Sequence, residues 1–161
     1  MMIRLLAGVA AALLFAGVAA AQPAGDRHFL KDAIRGDNSE MMLGQMAADR
    51  ASTPQVRDYG RMLHDDHAKA HDDAVRVAGQ FGVPDTPEVM PQARAESVKL
   101  RHLQGRAFDR EFARYMVKDH RHDIAEFRKQ AHERGPVAEL AQRTLPDLQK
   151  HLEVAERLSR G

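Results

Sequence analysis

The sequence contains no cysteine and no tryptophan, and aromatic residues make up only 5% of its 161 positions. Without cysteine there is no disulfide framework, no thiolate chemistry and no thiol for lipid attachment, so stability has to come from packing alone. Scarce aromatics shift the core onto Leu, Ala, Met and Val, a composition that suits a helical interior. No stretch alternates apolar and polar residues as a half-buried strand does. A phosphate-cradling glycine loop and a nucleophile elbow are also missing. Charge of one sign is lacking too: 24 basic side chains stand against 23 acidic ones. That balance argues against nucleic acid and anionic membrane as partners.

A long apolar run occurs once, at the start. Met1 to Arg4 is positive, Leu5 to Val18 is apolar, and Ala19-Ala20-Ala21 is a small-residue cleavage site. This is the pattern of a secretory signal, cut after Ala21. The run is shorter than the roughly 20 residues that cross a bilayer, and no comparable segment follows. The remainder, residues 22–161, is expected to be a single exported domain, periplasmic and not inserted in a membrane. Cleavage removes Arg4 alone among charged side chains, leaving the mature chain formally neutral. No feature names a protein partner or an oligomeric state.

Apolar residues recur at helical spacing over about 26–51, 54–81, 106–134 and 136–159. Ser52-Thr53-Pro54 supplies an N-cap followed by proline at the first helical position, so the first two helices form an antiparallel hairpin. Gly135-Pro136 does the same for the last two. Between the hairpins, residues 82–105 carry prolines at 84, 87 and 91, then a short helical stretch over 92–104 ended by Gly105. A helix of about 27 residues is roughly 40 Å long, and this connector can return the chain over that distance. The expected fold is therefore all-α: a ferritin-like four-helix bundle of two hairpins joined by a long crossover containing a short extra helix. Pro146, inside the last helix, removes a backbone hydrogen bond and predicts a kink.

Each long helix has an apolar seam interrupted once. Phe29, Ala33, Gly36, Leu43 and Ala47 enclose Glu40; Val56, Gly60, Leu63, Ala70, Ala74 and Val77 enclose His67. Ala113, Met116, Ile124 and Phe127 enclose His120; Val137, Leu148, Ala155 and Leu158 enclose His151. Counted from their turns, Glu40 and His67 sit at similar heights, as do His120 and His151, each near its helix midpoint. One carboxylate and three imidazoles at one depth admit two readings. They are ligands of a metal ion, zinc, iron, copper or nickel in preference to calcium or magnesium, or they form a metal-free Glu–His hydrogen-bonded network. Asp123, Asp147, His64 and His71 lie within one turn of these histidines and are candidate outer groups of the same centre. An enzyme built on it, hydrolytic or redox, would need an open coordination position and a cleft. The sequence displays neither.

Ser39-Glu40, the run Arg61-Met62-Leu63-His64-Asp65-Asp66-His67, Gly105-Arg106-Ala107-Phe108-Asp109, Asp119-His120 and Thr144-Leu145-Pro146 with Leu148 and His151 form a combined pattern. It resembles the bacterial domain-of-unknown-function family number 4142, exported ferritin-like proteins, over about residues 26–158. The resemblance implies an exported helical bundle loosely associated with stress responses, and implies no particular reaction. Ferritin-like relatives also imply a di-iron centre, yet none of the nine histidines has glutamate three positions before it. A single site of Glu40, His67, His120 and His151 is the better expectation.

Overall fold

A computed structural model describes residues 23–161. The expected signal segment and its cleavage after Ala21 lie outside the described residues. These fold into five helices and, among them, no strand: α1 Pro23–Arg50, α2 Pro54–Gln80, α3 Pro91–Arg101, α4 Gly105–Ala131 and α5 Pro136–Ser159. No described helix is long and apolar enough to cross a membrane.

Proline opens four of the five helices, at the position where its missing N–H costs nothing. Thr53 caps α2 by accepting a hydrogen bond from the Val56 N–H. Two helix ends differ from expectation. Gly105, with φ of +57°, is the first residue of α4 and not the terminator of the short helix. That helix already stops at Arg101, where the N–H groups of His102 and Leu103 turn back to the carbonyls of Lys99 and Leu100. The α4 helix ends at Ala131, three residues early, because the chain tightens into the turn at Gly135, whose φ of +95° favours glycine. The α5 helix runs through Pro146 to Ser159.

The α1 and α2 helices pair along their length across a three-residue turn, α4 and α5 do so across a four-residue turn, and α2 packs against α5. The α1–α2 approach is closest at Gly44 and Gly60. A Cβ on Gly60 would stand 2.6 Å from the Gly44 carbonyl oxygen and 2.7 Å from the Ala48 nitrogen. At that point the two backbones are in contact, which draws the inner faces of both helices together one turn from Glu40 and two turns from His67.

The turn between α1 and α2 is tied to the start of α4 by one carboxylate. Asp109 accepts hydrogen bonds from the Ser52 N–H (2.8 Å) and hydroxyl (2.7 Å) and from the Thr53 N–H (3.0 Å) and hydroxyl (2.9 Å). Burial pushes its pKa up, but these four donors outweigh it and hold the carboxyl below its usual range. Thus α2 and α4 begin at the same end, and the connector 81–104 travels back along the molecule. Asn38 and Ser39 hold it against α1: the Asn38 amide donates to the Thr86 carbonyl at 2.6 Å, and the Met90 N–H donates to the Ser39 hydroxyl at 2.8 Å.

The apolar core comes in two parts. Near the α1–α2 turn, Leu43, Tyr59, Leu63, Phe108, Phe112 and Met116 pack together, and toward the other end Leu30, Ile34, Val77, Val83, Val137 and Leu140 do so. Each such side chain contributes roughly 1.5–3 kcal/mol by leaving water. Between the two clusters lies a polar layer.

Replacing Gly60 with alanine is expected to destabilise the protein by about 1–3 kcal/mol, since the collision is with backbone and outweighs alanine's better helix propensity. Gly79→Ala, which meets nothing within 4 Å, is the matched control. Asp109→Ala leaves the Ser52 and Thr53 donors without an acceptor and should cost about 2 kcal/mol or more. Urea unfolding at pH 7.5 measures all three, and equal midpoints for Gly60→Ala and Gly79→Ala would refute the close approach.

Candidate metal centre

The polar layer is built from one inward position on each long helix. Glu40 from α1, His67 from α2, His120 from α4 and His151 from α5 are all buried, at 1%, 4%, 0% and 1% exposure. The ring centroids of the three histidines stand 5.2, 5.4 and 5.9 Å apart. Three imidazoles bound to one ion at about 2.1 Å have centroids about 5.3 Å apart if tetrahedral and about 5.6 Å apart if trigonal. The observed spacing matches that arrangement, and one nitrogen from each of the three rings lies within 4.8 Å of the other two.

Hydrogen bonds on the far side of each ring determine which nitrogen is free. His120 Nδ1 lies 3.1 Å from the Met116 carbonyl oxygen, which can only accept, so the proton is on Nδ1 and the lone pair on Nε2. His67 Nδ1 donates to the buried Asp37 carboxylate at 2.8 Å, leaving Nε2. His151 Nε2 donates to Asp66 at 3.1 Å, leaving Nδ1. These three remaining nitrogens are buried and have no hydrogen-bond partner among the described residues. A carboxylate behind the imidazole is the arrangement that orients metal-binding histidines and raises their basicity. Tyr59 adds a further restraint, its hydroxyl donating to the His151 carbonyl at 3.1 Å.

Glu40 occupies the same layer but a different corner. Its carboxylate groups with Asp119 and His120, again with atoms within 4.8 Å of one another, and not with His67 and His151. Both Glu40 oxygens are buried without a partner among the described residues. The expected four-ligand set is thus two overlapping groups that share His120.

A model of the family described as Domain of unknown function (DUF4142) matches residues 14–158. The chain belongs to this family. No curated protein and no solved structure matches it.

Burial dominates the electrostatics of this DUF4142 centre. Burial, then its two histidine neighbours, hold His120 well below the usual imidazole value. Burial and His67 push His151 down to about 4 against the pull of Asp66. Burial, followed by the nearby Asp119, raises Glu40 well above the usual carboxylate range, and burial also raises Asp37. Carboxyls that resist ionising and imidazoles that resist protonation are groups a cation would suit.

The outer groups fall differently from expectation. Asp123 lines a cavity beside Asp119 and bonds neither nitrogen of His120, both of which are accounted for. Asp147 is exposed and touches His151 only through its charge, whereas Asp66 from α2 accepts the His151 Nε2 hydrogen bond. His64 and His71, three before and four after His67, are rotated about 40–60° off its direction to one side of the helix. They bond outward, His64 with Asp65 at 3.1 Å and His71 with Asp85 at 3.3 Å. Three residues that the apolar seams do not single out, Asp37, Asp66 and Asp119, complete the centre. Asp37 carried a signal, being one turn before Glu40 on the inner face of α1. Asp66 and Asp119 each immediately precede a site histidine, about 100° around the helix, and only the neighbouring helices show that they turn inward.

A pH dependence follows for the metal-free protein. The unfolded chain protonates His151 below about pH 6.5, and the folded protein only near 4. The advantage of the neutral buried ring is therefore lost as pH falls through that window. Relative to His151→Gln, the parent should lose roughly 3 kcal/mol of unfolding free energy between pH 7.5 and 4. Parallel pH profiles for the two proteins in urea titrations would show that the ring keeps its ordinary basicity.

Proposed function

We propose that this DUF4142 chain is an exported, ferritin-like four-helix bundle protein that binds a transition metal ion through His67 Nε2, His120 Nε2 and His151 Nδ1. The observation that carries this reading is the convergence of three buried lone-pair nitrogens, none with a hydrogen-bond partner among the described residues, each ring oriented from behind by an acceptor. Leaving such acceptors unpaired costs about 1–3 kcal/mol each, and a bound ion offsets that cost. Neutral imidazoles favour zinc, copper, iron or nickel over calcium or magnesium. Support for the ferritin-like topology comes from the two hairpins and from the common starting end of α2 and α4, which the long connector makes necessary. The signal-like first 21 residues support export.

The ion in this reading is exchangeable. The α1 and α4 helices touch far less than the hairpin partners do, and between them lies a cavity of about 560 Å³ that reaches His67 and Asp37. Three protein nitrogens leave a coordination position open toward it. The protein then serves to hold and release metal in the compartment to which it is exported, a role compatible with stress.

Elemental analysis of untagged protein from the periplasm tests this. The parent should carry close to one equivalent of metal, and His67→Ala and His151→Ala should carry none. After stripping, zinc at a hundredfold excess over its dissociation constant should stabilise the parent by about 2.7 kcal/mol and leave both variants unchanged. A parent that neither arrives with metal nor responds to zinc, copper or iron would instead be a bundle with a metal-free polar core.

A further inference from the structure

The three-imidazole reading uses the only free nitrogen of His120 and leaves Glu40 without a function. Glu40 is 1% exposed, both of its oxygens lack a partner among the described residues, and its nearest polar neighbour is another carboxylate, Asp119. Two carboxylates this close repel when both are ionised, so burial and Asp119 together hold Glu40 as the acid, sharing its proton with Asp119. The Tyr115 hydroxyl, also buried, is raised by burial and then by the charges of Asp119 and Glu40 and a side-chain hydrogen bond with Asp119. Tyr115, Asp119 and Asp123 follow one another at four-residue intervals along α4, and Asp119 and Asp123 line the cavity that α4 shares with α1.

From this the geometry points to a second cation position beside the first, formed by the carboxylates of Glu40 and Asp119 between α1 and α4, with the Tyr115 hydroxyl at its edge and His120 as the wall common to both. The inference rests on the three-imidazole reading and extends it from one ion to two. The ligand class differs: oxygen donors of this kind take a harder divalent ion such as manganese(II) or iron(II), whereas the imidazoles take a borderline ion such as zinc. This second position does not depend on acidic residues alone. His120 forms one side of it, and Glu40 is a buried, unpartnered group directed into it. Asp119 and Asp123 line the cavity that also reaches His67, so both positions are approached from the same side.

The test uses the full mature protein, stripped of metal, loaded with one equivalent of zinc and then titrated with manganese(II), whose free fraction is read from its paramagnetic resonance signal. The zinc-loaded parent should remove one further equivalent of manganese from solution. Asp119→Asn and Glu40→Gln should each retain their zinc and bind manganese at least about tenfold more weakly. Circular dichroism confirms folding, and two independent variants guard against failure of either one to fold. Zinc retained with no manganese uptake by the parent would overturn the second position and leave the first standing. Manganese uptake unchanged in both variants would assign it to surface carboxylates and likewise overturn the inference. A parent that holds no zinc would remove the first reading and this one with it.

Discussion

A polar layer that crosses the middle of an apolar core is the feature on which the rest of the molecule depends. Three imidazoles and a carboxylate sit between two hydrophobic clusters, and each imidazole keeps a nitrogen that meets no partner among the described residues. Such a layer lowers stability unless its groups are placed to share a ligand, and the surrounding architecture fixes their placement. The Gly44–Gly60 contact sets how close α1 comes to α2. Asp109 fixes the axial position of α4 against the α1–α2 turn, and Tyr59 bonds α2 to the backbone of α5 at His151 itself. Together these contacts set the heights of all four helices, and so bring the four groups to one level.

Asymmetry between the helix pairs separates rigidity from access. Within each hairpin the helices pack tightly, whereas α1 and α4 leave a cavity between them, and that cavity is where Asp37, Asp119 and Asp123 are found. A centre enclosed equally on all sides would either be inaccessible or hold its ligand permanently. Here the nitrogen-rich side faces the well-packed α2 and α5, and the carboxylate-rich side faces the open seam. Apolar side chains such as Phe29 and Phe127 line the same cavity.

Much of this was legible in the residues. An ionisable side chain that interrupts an apolar seam has no business in a core unless something compensates it, so Glu40, His67, His120 and His151 stood out by periodicity, and turn counting put them at one depth. Helix existence is legible for the same reason, while the ends at Arg101 and Ala131 fall three residues short of the periodic pattern, because end positions depend on local turn geometry more than on pattern. His64, His71 and Asp147 illustrate the limit of sequence proximity. Each lies within one turn of a site histidine, yet a rotation of about 40–60° about the helix axis is enough to send a side chain outward to a different partner.

The sequence by itself determined the helices, their hairpin pairing, and the inward direction of Glu40, His67, His120 and His151, because all of these follow from the 3.6-residue period and from proline and glycine at the turns. Tertiary structure alone decided the division of those residues into a three-imidazole group and a carboxylate group joined at His120, the recruitment of Asp37 and Asp66 behind the rings, and the place of Asp119 in the second group. The reason is that a helix's own periodicity says which direction a side chain takes. What it meets there depends on the rotation and height of a neighbouring helix, which contacts distant in sequence, Gly44 with Gly60 and Asp109 with Ser52 and Thr53, establish.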